Sequence, residues 1–196
     1  MDKFLPIYNK VISNLEHNLP PWLHYHCLEH TQRVLEKVIY IAKKENVGEH
    51  DIFLLKIAAL YHDIGFIVDR ENHEELSCII ATRELKEFEL TPDEIDQICE
   101  MMKATKIPQN PNSHLAAILA DADLEYLGTE NFWEWSEKLY KELLYYQPDL
   151  SEDKWNEIQY NFISNHHYHT SYCKQNREPK KLKNLQLLKN KLEGIK

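Results

Sequence analysis

Apolar residues recur along this chain every three to four positions, the spacing of a helix face, and nowhere alternate over four or more residues as a half-buried strand would. Phe4, Ile7, Tyr8, Val11, Ile12 and Leu15 mark a first amphipathic helix that must close before Pro20-Pro21. Val34, Leu35, Val38, Ile39 and Ala42 mark a second, predicted from His26 or just after to Asn46, with Gly48 past its end. His26 and His30 are then one turn apart on one face. The third, through Ile52, Leu55, Ala58 and Ala59 to His62, is apolar nearly all round, which places it at the centre of a bundle.

Later helices announce themselves by their caps. Asn72 with Glu75 three positions on reads as a capping box for a helix that turns Leu76, Ile79, Ile80 and Leu85 inward and carries His73 in its first turn. Thr91-Pro92-Asp93-Glu94 supplies cap, proline and acid together for a helix through Ile95, Ile98 and Met102. Ser113 caps the segment holding Leu115, Ile118, Leu119 and Asp121, and Ser151 the one holding Trp155, Ile158 and Phe162. Phe132, Trp133, Trp135, Leu139 and Leu143 mark another helix, and a last one spans about Pro179 to Glu193. The expected fold is all-α: one helical bundle of roughly seven to nine helices, a single domain over residues 1–196, without internal repeats.

Composition narrows the function. The 196 residues are 43% apolar and 28% charged, with four glycines and eight prolines, which suits helices joined by proline-marked turns. There is no 20-residue apolar run, and Met1 to Pro6 is already mixed rather than leader-like, so neither a membrane nor export is expected and the predicted location is cytoplasmic. Cys27, Cys78, Cys99 and Cys173 are scattered, with no Cys-x-x-Cys pair. A net charge of −9 disfavours long nucleic acid, whose phosphates reward basic surfaces. The tail from Lys174 to Lys196 is locally basic and reads as a solvated helix face.

The chemistry gathers at Ala58-Ala59-Leu60-Tyr61-His62-Asp63-Ile64-Gly65, where an apolar helix ends in an imidazole beside a carboxylate. Neighbouring helical residues point about 100° apart, so His62 and Asp63 can converge on one atom only off a helix end, and Gly65 lets the chain turn away there. Upstream is Tyr25-His26-Cys27-Leu28-Glu29-His30, and downstream Leu119-Ala120-Asp121-Ala122-Asp123-Leu124. The order His, His-Asp, Asp resembles the HD superfamily of metal-dependent phosphohydrolases, over about residues 25–128, with 129–196 packing on that core as further helices. His73 to Ser77 and Asp123 to Gly128 agree with it. The resemblance implies His30, His62, Asp63 and Asp121 as ligands of one divalent ion, Mn, Fe, Co, Ni, Mg or Zn. Asp123 competes for the last position, and the family's Ala-Asp pattern favours Asp121.

Such an imidazole and carboxylate set suits a six-coordinate ion that polarises a phosphoryl oxygen and acidifies a bound water. The Tyr-His-x-x-x-His spacing is also similar to the start of the cyclic-nucleotide phosphodiesterase motif, although Cys27 replaces its usual Asn. That likeness implies His26 as donor of the leaving-group proton, support of His30 being the alternative. The catalytic set expected is His26, Asp63 and His73; Lys103, Lys106 and Arg177 are candidate phosphate contacts. His166-His167-Tyr168-His169, with no acid or cysteine partner nearby, reads as a helix end on the cleft wall. No His-Glu-x-x-His, P-loop or dinucleotide glycine fingerprint occurs. The expected function is hydrolysis of a small phosphate ester or anhydride, a nucleotide foremost, with a non-catalytic nucleotide-binding or regulatory module as alternative; a homodimer is left open.

Overall fold

The computed structural model describes residues 3–194, so the last two residues of the basic tail lie outside it. Ten α-helices are present among the described residues: α1 (Phe4–Asn18), α2 (Leu28–Lys44), α3 (Glu49–Tyr61), α4 (His73–Leu85), α5 (Pro92–Lys103), α6 (His114–Asp123), α7 (Phe132–Tyr146), α8 (Glu152–Asn165), α9 (Ser171–Asn176) and α10 (Glu178–Leu192). Single 3-10 turns cover Ile64–Ile67, Lys86–Phe88 and Glu125–Gly128. No strand occurs among the described residues, in keeping with the periodicity. The count exceeds the expected seven to nine; the short α9, opened by the Thr170 cap, carries too few apolar residues to be read from their spacing.

α3 is the axis of the larger core. Leu54 to Tyr61, Lys56 aside, are buried, and α1, α2, α5 and α6 pack around them. Each such Leu or Ile contributes about 1.5–3 kcal/mol through burial. A second apolar cluster, with Leu127, Phe132, Trp135, Ile163 and Leu188, joins α7, α8 and α10 to the 3-10 turn after α6. Tyr25 and Leu124 belong to this cluster too, so the loop before α2 and the end of α6 link the two cores.

The caps sort cleanly. Thr91 and Glu94 form a full reciprocal box, and Ser113 and Ser151 accept from Ala116 and Lys154. Asn72 does not cap α4; its amide donates to Asp69 instead, because the backbone there is not in the extended form that aims a side chain at the first turn. α2 ends at Lys44 rather than Asn46, since Asn46 takes the left-handed conformation (φ 58°) that asparagine tolerates, and Gly48 opens α3. α2 also begins only at Leu28, which leaves His26 in the preceding loop.

Candidate metal centre

His62 is the residue at which α3 stops, and Asp63 follows it out of the helix. Gly65 is needed here, though for a different reason from chain reversal. A Cβ on it would stand 2.1 Å from the His73 carbonyl oxygen, so only glycine lets the start of α4 press against the turn. Ser77 fastens the same contact, accepting from Gly65 N at 2.9 Å and donating to His62 O at 2.8 Å.

α2 brings His30 opposite, fully buried, its Nε2 3.2 Å from that of His62. Asp63 Oδ2 lies 3.2 Å from the first nitrogen and 3.1 Å from the second, yet is buried and makes a sound hydrogen bond with neither. Asp123 Oδ1 is 3.1 Å from His30 Nε2, and ligand atoms of His30, His62 and Asp123 all fall within 4.8 Å of one another. Imidazole nitrogens and carboxylate oxygens crowded at such distances, with one oxygen orphaned, are what a cation between them would satisfy. His62 Nδ1 donates to the Ala59 carbonyl at 2.8 Å, which leaves its Nε2 lone pair facing the cluster. Burial works against charge on His62, but the two carboxylates outweigh it and push its pKa up to about 9 when protons stand where a metal would. Burial likewise opposes ionisation of Asp63, and the His62 charge overrides it, holding that carboxyl well below its usual range.

The structure does not bring Asp121 to this cluster. Its carboxylate accepts from His169 N and Thr170 N at 2.8 Å each and from the Thr170 hydroxyl at 2.6 Å, tying α6 to the cap of α9. Residues two apart on a helix point about 200° apart, so of Asp121 and Asp123 only one can face the histidines. Burial raises the Asp121 pKa against those three donors.

His26 stands beside the cluster. Its Nδ1 is 2.5 Å from Glu142 Oε1, and Glu142 Oε2 accepts the backbone N–H groups of Tyr25 and His26 at 2.9 and 3.0 Å. Burial disfavours charge on this ring, but the Glu142 carboxylate prevails and the pKa is raised. Phe66 lies between His26 and His73, stacked on both at 4.0 and 4.1 Å. His73 Nδ1 donates to Arg70 O at 2.8 Å, and Nε2 is 3.8 Å from Asp63 Oδ1. One cavity of about 330 Å³ opens over His26, His73, Asp63 and Asp123.

The three candidate phosphate contacts are elsewhere. Lys106 bonds Glu75 at 2.8 Å, Arg177 Nε bonds Glu125 at 2.5 Å, and Lys103 lies by Cys78 and Cys99 on another surface. His166, His167 and His169 line a separate hollow with Gln109 rather than the cavity wall. Sequence reasoning missed Glu142, which only a contact across 116 positions reveals. It also missed Arg33, stacked on Trp135 at 4.8 Å and donating to Asp123 O at 2.6 Å while lying 3.3 Å from His30 Nδ1.

The HD domain family profile matches residues 27–125, half of the chain, and that span runs from just before His30 to just past Asp123. The chain belongs to the HD domain family. Members are generally metal-dependent hydrolases, some of them non-catalytic, and the His/Asp group fits that pattern. The HD domain here shares its whole fold with Bacillus subtilis YpgQ. The YpgQ crystal structure in complex with ADP aligns at a TM-score of 0.67 and 17% identity, covering 98% of this chain and 97% of that one. The selenomethionine form of YpgQ gives 0.65 at 17%, covering 99% and 98%. No curated protein matches the sequence. Among the described residues no helix is long and apolar enough to cross a membrane.

Proposed function

We propose that this HD protein is a metal-dependent phosphohydrolase acting on a small phosphorylated molecule, with a nucleotide as the class that the ADP complex of its fold neighbour supports. The observation that carries the reading is the orphaned Asp63 Oδ2 set between two imidazole nitrogens at the mouth of a cavity. His30, His62, Asp63 and Asp123 would hold the ion, with Asp123 in the place the sequence assigns to Asp121. A divalent cation held there supplies Lewis-acid polarisation of a phosphoryl oxygen and an acidified water. The side chains around it do the rest. His26, its Nδ1–H held by Glu142, presents Nε2 to the departing ester oxygen and gives it a proton, and the Glu142 carboxylate, by raising the pKa of the ring, favours the protonated form that this role needs. His73, fixed by the Arg70 carbonyl, turns Nε2 toward Asp63 and whatever anion lies beside it.

The test is a screen of nucleoside mono-, di- and triphosphates, cyclic nucleotides and nitrophenyl phosphate with Mn²⁺, Co²⁺ and Mg²⁺, run beside His62→Ala and Asp63→Ala with elemental analysis. Metal-dependent hydrolysis, read by phosphate, pyrophosphate and nucleotide products, that both variants lose is expected. Nucleotide binding without any hydrolysis would instead support the ligand-binding module, and unchanged metal content in both variants would remove the site.

A further inference from the structure

Every cation the sequence offered for phosphate is spent or remote, and one it did not offer is free. Arg70 lies in the loop between the Ile64–Ile67 turn and α4, on the cavity lining, half-buried. Its guanidinium stacks on Tyr146 at 4.4 Å, and among the described residues it has neither an ion pair nor a hydrogen bond. Its carbonyl is the one that holds His73, so the loop carrying it is pinned beside the cluster. Asp63, Asp123 and Glu74 face the same cavity, and no other Lys or Arg lines it among the described residues.

Away from the cluster the cavity changes character. Leu139, Leu143, Trp155, Ile158 and Phe162, from α7 and α8, form an apolar wall. Gln159 is its polar point; the Ser136 hydroxyl donates to Oε1, which leaves the amide N–H groups without a partner among the described residues. Apolar and aromatic walls with one directional donor suit a flat ring bearing an acceptor, and with Arg70 the one lysine or arginine on the lining among the described residues, the further charges of a polyphosphate find no second such side chain.

Resting on the phosphohydrolase reading, we infer that the substrate is a phosphate monoester of a ring-bearing alcohol: Arg70 clasps its single phosphoryl group beside the cluster, and its ring lies against Leu143, Trp155 and Phe162. Arg70 is thus a substrate-binding residue, and α7 and α8 set specificity. Di- and triphosphates are poor substrates.

With the Mn²⁺-loaded protein, kcat/KM is compared for adenosine 5′-monophosphate, 2-naphthyl phosphate, glycerol 3-phosphate, ADP and ATP. The two ring-bearing monoesters are expected to exceed both glycerol phosphate and ATP by about tenfold or more, and their ranking separates a nucleoside from a plain aryl body. Arg70→Gln should lower kcat/KM on the best monoester roughly ten- to hundredfold, mainly through KM, with part recovered by Arg70→Lys. Calorimetry on chelator-treated protein supplies a readout apart from turnover: adenosine should bind wild type and Arg70→Gln alike and lose affinity for Leu143→Trp, which fills the wall. Preference for ADP or ATP, equal use of glycerol phosphate, or indifference to Arg70→Gln would overturn the inference. Hydrolysis of none of the five and of no cyclic nucleotide, with phosphate, pyrophosphate and nucleotide products all assayed and each metal tried, would sink the phosphohydrolase reading instead, while the adenosine measurement would still judge the ring wall.

Discussion

Asp121 and Asp123 sit in identical Ala-Asp contexts two positions apart, yet the structure gives them opposite work. Asp121 accepts three hydrogen bonds from the cap of α9, and Asp123 faces His30 and His62. Asp123→Asn is therefore expected to lower bound metal at nearly unchanged stability. Asp121→Ala is expected to keep a competent cluster in whatever protein remains folded but to cost at least roughly 3 kcal/mol, since bonds to a buried charged group are worth about 1.5–3 kcal/mol each. Elemental analysis beside thermal melts of the two variants checks both, and loss of metal with Asp121→Ala at an unchanged melting temperature would reverse the assignment. Glu142→Gln reads the role of His26 more finely than removing the ring. Glu142 holds the His26 pKa up, so its neutralisation should move the basic limb of kcat/KM to lower pH, because the proton on His26 is then lost earlier. His26→Ala itself should lose roughly 10²-fold in kcat on a nucleotide ester and much less on nitrophenyl phosphate, whose leaving group scarcely needs a proton.

At the level of elements, the site depends on how tightly α4 can approach the end of α3. Gly65→Ala would set a methyl 2.1 Å from the His73 carbonyl, a backbone atom that cannot swing aside. The expected cost is about 1–3 kcal/mol together with reduced metal affinity, read by denaturant titration with and without Mn²⁺. Helix caps give a cleaner contrast. Thr91→Ala should cost about 1 kcal/mol because it breaks a reciprocal box, whereas Asn72→Ala should stay within about 0.5 kcal/mol because Asn72 does not cap α4. Equal losses in the two would show that the α4 cap forms in solution.

For the molecule as a whole, the C-terminal helices are fastened by a buried polar set that responds to acid. Lys181 is 2% exposed, donates to the His166 carbonyl and pairs with Glu178 at 2.9 Å, its ammonium 3.4 Å from His166 Nδ1. Burial, then the Lys181 charge, push the His166 pKa down to about 3. The unfolded chain takes up this proton near pH 6.5 while the folded one does not, so the His166 contribution is complete above about 6.5 and declines as pH falls toward 3. The limiting slope is about 1.4 kcal/mol per pH unit. Urea titrations at pH 4.5, 5.5 and 7 should show His166→Gln less acid-sensitive than wild type by a difference that grows downward from pH 6.5; parallel curves would exclude it.

Local physics wrote much of this structure into the chain. The 3.6 period sets helices where apolar faces recur, Thr91, Ser113 and Ser151 cap because their side chains reach amides three residues on, and α3, apolar all round, could only be central. His30, His62 and Asp63 were legible because their order and neighbours carry a family pattern, and helix geometry demands that an adjacent pair act off a helix end. What needed three dimensions was which of two equivalent aspartates turns inward, since that depends on how α6 is rotated against α2 and α9. The same holds for Glu142 behind His26, Arg70 freed while Lys106 and Arg177 are paired, and the apolar wall lent by α7 and α8. Each is a contact between residues far apart in the chain, decided by packing, and no local preference of either partner encodes it.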